Sequence, residues 1–265
     1  MDLRDAHGRG IKDLRISLTD RCNFRCFYCL PNGEPPLARK NTILTFEEIF
    51  RIAKIFVSLG IEKIRLTGGE PLIRRDVPLL VEKLATLKPQ LKDVALTTNG
   101  TELRRHAGDL RTAGLDRVTI SLDSLRRDRF REITGVDALD AVLDSIRCAK
   151  EIGFDPVKIN AVIVRGRNDD ELVDFARFAR EQNVAMRFIE FMPLDSGHGW
   201  SRDLMVSGNE IRETIGQAFP LRLKETIRGS GTAWKYGFED GAPGEIGIIA
   251  PVTEMFCGQC SRIRL

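Results

Sequence analysis

Leu14-Arg15-Ile16-Ser17-Leu18-Thr19-Asp20-Arg21-Cys22-Asn23-Phe24-Arg25-Cys26-Phe27-Tyr28-Cys29 is an alternating segment that runs straight into three cysteines. In a strand, Leu14, Ile16 and Leu18 fall on one face and Arg15, Ser17 and Thr19 on the other. The same division recurs downstream. Ile64 and Leu66 oppose Lys63, Arg65 and Thr67; Val118, Ile120 and Leu122 oppose Thr119, Ser121 and Asp123; Val157 and Ile159 oppose Lys158 and Asn160. The pattern predicts strands at 14–19, 63–67, 94–98, 118–122, 157–164 and 185–191. Amphipathic helices are expected between them, at 45–59, 76–87, 101–113, 138–152 and 168–181. Thr45 with Glu48, and Asn168 with Glu171, have capping-box spacing. Gly60, Gly114 and Gly153 stand where helices should stop.

Six β/α repeats predict an α/β fold whose parallel sheet curls into an incomplete (β/α)6 TIM-type barrel. With helices outside, the polar strand faces point inward. A fully packed barrel fills its interior with bulky apolar side chains, so a polar, basic interior is a departure. A wet sheet face is the plainer account, but it belongs to antiparallel sheets rather than to parallel ones flanked by helices. The favoured reading is an open barrel around a large, polar, anionic ligand. After residue 191 the pattern breaks into a Gly-rich loop, Asp195-Ser196-Gly197-His198-Gly199-Trp200. Residues 221–265 read as strands with turns at 229–231 and 240–244. The expected organisation is a partial barrel over 1–220 and a C-terminal region over 221–265 that closes it.

At 265 residues, 42% hydrophobic and 30% charged, the chain has an ordinary globular composition without a disorder bias. A net charge of +3 gives no footing for nucleic-acid binding, and the placement of charge matters more than its sum. No apolar run reaches the roughly 18 residues of a membrane span. The segment Met1-Asp2-Leu3-Arg4-Asp5 and its neighbours lack the apolar core of a secretory signal. A cytoplasmic protein is expected, in which six cysteines read as metal ligands rather than as disulfides.

Cys22, Cys26 and Cys29 follow strand one, at the carboxyl mouth of the barrel, where chemistry sits. Three thiolates can hold three irons of a four-iron cluster, and the open position on the fourth makes such a centre catalytic. Zinc held jointly with Cys257 and Cys260 is the competing reading. Paired zinc knuckles lie roughly 15–20 residues apart, whereas these groups stand at opposite ends of the chain.

The spacing Cys-x-x-x-Cys-x-x-Cys, with Tyr28 before the third cysteine, resembles the signature of the radical S-adenosylmethionine (SAM) superfamily. The resemblance implies that SAM chelates the open iron and that the reduced cluster cleaves it to a hydrogen-abstracting 5′-deoxyadenosyl radical. Gly68-Gly69-Glu70-Pro71, ending strand two, resembles the superfamily's methionine-amino-binding motif. By the same resemblance Tyr28, Gly69, Ser121 and Met192 contact SAM.

Longer stretches are similar to the GTP 3′,8-cyclase family of molybdenum-cofactor biosynthesis. They are Asp5 to Arg9, Leu14 to Asn23, Arg65 to Asp76, Thr97 to Gly100, Arg187 to Met192 and Phe256 to Leu265. This resemblance implies hydrogen removal from C3′ of GTP and attack of the resulting carbon radical on guanine C8. The cyclised GTP would pass to a pyranopterin-forming enzyme. It also implies a second four-iron cluster, on Cys257 and Cys260, that binds the guanine. Arg15, Arg65, Thr97, Lys158, Arg262 and Arg264 match GTP-binding positions, and Lys63 and Arg187 match more weakly; arginine forks suit phosphate oxygens. An electron donor of flavodoxin or ferredoxin type and a homodimer complete the expected partners, with no nucleic acid and no membrane. The family's third ligand to the second cluster lies past the point where this sequence stops, so either the sequence is truncated or its second cluster is incomplete, with two of the three ligands present.

A peptide-modifying radical SAM maturase is the second reading and a zinc-binding non-enzyme the third. Two cysteines followed by Arg-x-Arg favour the cyclase. Cys148 reads as a buried hydrophobe. His7, His106 and His198 have no metal spacing, Trp200 and Trp234 read as packing residues, and the pairs Arg104-Arg105 and Arg126-Arg127 as solvent-facing.

Overall fold

Strand β1 (Asp13–Ser17) carries its alternation into one long sheet in the computed structural model, which describes residues 3–29, 42–193, 199–225 and 231–265. In chain order there follow α1 (Phe46–Ser58), β2 (Lys63–Thr67), α2 (Val77–Ala85), β3 (Asp93–Thr98), α3 (Leu103–Thr112), β4 (Arg117–Ser121), α4 (Arg127–Thr134) and α5 (Leu139–Glu151). Then come β5 (Lys158–Ile163), α6 (Leu172–Gln182), β6 (Ala185–Glu190), α7 (Gly208–Ala218), β7 (Leu221–Leu223), β8 (Trp234–Phe238), β9 (Glu245–Ile249) and β10 (Arg262–Arg264). The strand order is β10-β1-β2-β3-β4-β5-β6-β9-β8-β7. Pairing is parallel from β10 through β9 and antiparallel across β9, β8 and β7.

The apolar strand face does what the alternation requires. Leu14, Ile16, Ile64, Leu66, Val118, Ile120 and Ile159 are fully buried, together with Ile49, Leu80, Leu110 and Val142 from the helices. Each such side chain contributes roughly 1.5–3 kcal/mol, so the helical layer is fixed to the outer face. The polar faces are left to line the inner one.

The barrel is incomplete, as expected, and the C-terminal stretch extends its sheet rather than joining the two edges. The C-terminal strands split: β10 adds to the β1 edge, while β9, β8 and β7 add beyond β6. Among the described residues the edge strands β10 and β7 do not pair, so the sheet stays open. Closure needs a continuous ladder between edges, and each edge here is a strand of three residues.

Two helices escaped the pattern. In α4 the apolar stripe is reduced to Phe130 and Ile133 among charged residues, and α7 follows the broken pattern after 191 with Ser207 as its cap. Thr45 and Glu48 form both bonds of a capping box. Asn168 and Glu171 do not: Asn168 instead accepts from Val164 N–H and donates to the Asp123 and Val162 carbonyls. Glu171 accepts from Ser124 Oγ and Leu125 N–H. Residues 195–198 of the Gly-rich loop and most of the 229–231 turn lie outside the described residues. Cys148 is buried, and Arg104, Arg105, Arg126 and Arg127 are exposed and ion-paired.

Candidate active site between two cysteine groups

Cys22, Cys26 and Cys29 leave the carboxyl end of β1 in a loop pinned from several sides. Arg25 N–H and Phe27 N–H donate to the Thr134 and Ile133 carbonyls at the end of α4. Phe27 packs edge-on against Tyr28 and against Phe191, which follows β6. The Tyr28 hydroxyl donates to Asp123 Oδ2 at 2.6 Å, and Asp123 Oδ1 accepts from Val162 N–H at 2.8 Å. Burial holds Asp123 up at about 6. Sequence reasoning placed Asp123 on the polar face of its strand without giving it this part.

The second motif supports the same loop. A Cβ on Gly69 would lie 2.1 Å from the Arg21 carbonyl oxygen, and one on Gly68 would lie 2.4 Å from that of Thr19. These glycines are required first because the cysteine loop's own backbone crosses them. Glu70 is fully buried and accepts from Leu72 N–H, Thr98 Oγ1 and Asn99 N–H. Asn99 in turn donates to Asn23 Oδ1 at 2.7 Å beside Cys22. Ser121 closes β4 at this end, and Met192 lies just past β6, half-buried.

The thiols suit a cluster. Burial pushes the Cys26 thiol far up, with Asp123 and then Cys29 and Cys22 adding to the effect. Burial also raises Cys29, followed by repulsion from Cys22 and Asp123, and burial raises Cys22. Three thiolates that repel one another this way need a multiply charged metal group to persist. Among the described residues no three Cys, His, Asp or Glu side chains converge as ligands of one metal ion. A cluster does not ask for that, since each of its irons takes its own thiolate.

Below the mouth, register gathers the cations. Arg15 stands beside Arg264 on one side and Arg65 on the other. Thr119 stands beside Thr97 and Lys158, and Arg187 beside Asn160 and Gly247. A Cβ on Gly247 would meet Arg187 Cγ at 3.0 Å, so the glycine makes room for that side chain. Arg65 donates to Thr97 and Thr119 at 3.0 and 3.2 Å. Arg15, Lys158 and Arg187 have no hydrogen-bond or ion-pair partner among the described residues. Burial, then Arg262 and Arg264, push Arg15 down to about 10. Burial, then Arg117, Arg15 and Arg187, push Arg65 down to about 10. Burial, then Arg187, Arg117 and Arg65, push Lys158 down to about 7. Arg187 thus joins the group, whereas Lys63 is exposed at the start of β2. Arg117, one residue before the expected strand, makes a two-pronged pair with Asp93.

Cys257 and Cys260 precede β10, and β10 runs parallel to β1. They therefore lie at the amino ends of the strands, opposite the first three. The five residues of β1 at about 3.3 Å each separate the two ends by roughly 15 Å. Arg262 has a buried Nε without a partner, and Arg264 is exposed on the open edge.

Two family models divide the chain: radical SAM superfamily over residues 16–179 and molybdenum cofactor synthesis C over 184–265. The chain is 46% identical to a GTP 3′,8-cyclase of Syntrophomonas wolfei over 261 residues, 98% of this chain and 79% of that protein. It is 45% identical to one of Geobacter sulfurreducens, with 100% and 80% covered, and 44% identical to Drosophila melanogaster molybdenum cofactor biosynthesis protein 1, with 99% and 46% covered. Its fold is similar to that of Streptococcus suis SuiB solved with S-adenosylmethionine (TM-score 0.65, 19% identity; 80% of this chain and 49% of that one). Methylornithine synthase is another such neighbour (TM-score 0.60, 20% identity; 80% and 63%). At these identities the solved neighbours establish the fold alone.

Proposed function

Because the chain belongs to the radical SAM superfamily and, within it, to the GTP 3′,8-cyclases of molybdenum-cofactor biosynthesis, we propose that it binds GTP between its two cysteine groups and closes the C3′–C8 bond there. The observation that carries this is the row of half-buried cations. Partial burial and neighbouring positive charge hold Arg15, Arg65, Lys158 and Arg187 below their ordinary values, and among the described residues none has a carboxylate in an ion pair. A triphosphate supplies the missing negative charge in groups that arginine forks can bind two at a time.

When bound, a four-iron cluster and SAM supply electron transfer and hydrogen abstraction. The chain's part is to place and shield. Cys22, Cys26 and Cys29 would hold the cluster that carries SAM, with Tyr28, Gly69, Ser121 and Met192 around SAM. Arg15, Arg65, Thr97, Lys158, Arg262 and Arg264 would hold GTP, with Arg187 among them. Cys257 and Cys260 would hold part of a second cluster at the guanine. An electron donor of flavodoxin or ferredoxin type, a pyranopterin-forming enzyme downstream and a homodimer belong to the same reading. Among the described residues no helix is long and apolar enough to cross a membrane.

The test is anaerobic reconstitution with iron and sulfide, followed by SAM and a reductant, with and without GTP. 5′-Deoxyadenosine together with cyclised GTP is expected. No 5′-deoxyadenosine would overturn the radical reading. 5′-Deoxyadenosine without the cyclised product would overturn either the substrate or the sufficiency of Cys257 and Cys260 for the second cluster.

A further inference from the structure

Asp5-Ala6-His7-Gly8-Arg9 resembles the cyclase family, yet nothing in the site above uses it. Its polar members build one device. Asp5 Oδ1 accepts from His7 N–H at 2.9 Å and Arg9 N–H at 3.0 Å, and the Asp5 carbonyl accepts from Gly8 N–H at 3.0 Å. Gly8 closes the turn at φ 75° with nothing within 4 Å of its Cβ direction, so glycine serves the backbone there rather than space. Arg9 then folds back. Its Nε donates to Asp5 Oδ2 at 2.6 Å, and Nη2 lies 2.5 Å from the same oxygen. Its Nη1 donates to the Cys257 carbonyl oxygen. The next residues tie the same loop again, since Lys12 N–H and Asp13 N–H donate to the Ser261 carbonyl and Ser261 Oγ donates to Asp13 at 2.6 Å.

We propose that Arg9, oriented by Asp5, is the positioning residue of the substrate-end cysteine site: it fixes the backbone at Cys257, from which the two cysteines of that site are presented. The inference rests on reading Cys257 and Cys260 as cluster ligands. Arginine suits the task because one planar fork meets a carboxylate and a carbonyl together and stays charged at every working pH. Lysine keeps the charge but not the two-sided geometry.

The experiment compares reconstituted unchanged protein with Arg9→Gln, Arg9→Lys, Asp5→Asn and the double variant Cys257→Ser/Cys260→Ser. It reads iron per chain, backbone amide exchange over residues 22–29 and 256–261, and KM for GTP and for SAM in 5′-deoxyadenosine formation. In Arg9→Gln, exchange over 256–261 is expected to quicken by about tenfold, the loss of one charge-assisted hydrogen bond. KM for GTP should rise severalfold, while KM for SAM and exchange over 22–29 stay unchanged. Arg9→Lys and Asp5→Asn should fall between, and either carries the test if Arg9→Gln does not fold. Unchanged exchange over 256–261 overturns the proposal, as does an equal rise in both KM values, which marks general loosening. Full iron content in the double cysteine variant overturns the cluster reading itself. Iron loss there with an unaffected Arg9→Gln overturns the Arg9 proposal alone.

Discussion

Glu70 accepts from Leu72 N–H at 3.0 Å, Thr98 Oγ1 at 2.7 Å and Asn99 N–H at 2.6 Å while fully buried. A buried acceptor of that kind is costly to disturb, because each donor it satisfies has no water to turn to. Glu70→Gln turns one acceptor into a donor and is expected to cost about 1–3 kcal/mol. Thermal unfolding should fall by roughly 2–4 °C per kcal/mol in a domain near this size. An unchanged midpoint would mean that the carboxylate does not join the ends of β2 and β3. The Gly68-Gly69-Glu70-Pro71 motif was legible as a site from its place at a strand end. Its physical reasons were not: the glycines lie under the Thr19 to Arg21 backbone, and the glutamate reaches residues 28 and 29 positions away.

At the scale of elements, two sequence signals of the same form proved to be different objects. Thr45 and Glu48 form a reciprocal cap on α1, exposed to solvent. Asn168 is fully buried and joins the end of β5 to the end of β4 through three hydrogen bonds. Thr45→Ala is expected to cost about 1 kcal/mol, as caps do. Asn168→Ala strands buried backbone groups, each of which costs about 1–3 kcal/mol when left without a partner. Its loss should therefore be about two to three times that of Thr45→Ala. Urea unfolding of both variants measures the difference, and equal losses would refute it. Spacing alone cannot separate the cases, because a capping box is a local pattern and the Asn168 bonds cross between strands.

Over the whole molecule, one property of the interior can be measured directly. Lys158 sits at about 7 in the free protein, held there by burial and by Arg187, Arg117 and Arg65. A bound polyanion favours its charged form, so binding takes up a proton once the pH exceeds that value. GTP affinity should be full below about pH 7 and fall by at most about tenfold per pH unit above it. In the free chain the same group sits below its ordinary 10.5. The unfolded chain then binds more protons, and its contribution to stability rises with pH between about 7 and 10.5. Calorimetric titration of GTP across this range, on the unchanged protein and on Lys158→Arg, checks the first statement. A flat profile in the variant and a sloping one in the unchanged protein are expected. The same slope in both would assign the effect to another group.

The sequence by itself determined the alternating strands, the helical outer layer, the inward cations and the three-cysteine loop after strand one. These depend on period, spacing and local chemistry, which a linear chain displays. Tertiary structure decided where the last 45 residues (221–265) go. Their strands add to both edges of the sheet and leave it open, and β10 brings Cys257 and Cys260 to the end of β1 opposite Cys22, Cys26 and Cys29. It also decided that Arg9 reaches Cys257 across 248 positions of sequence. Contacts at such separations depend on the register between distant strands, and no local pattern encodes register across the sheet.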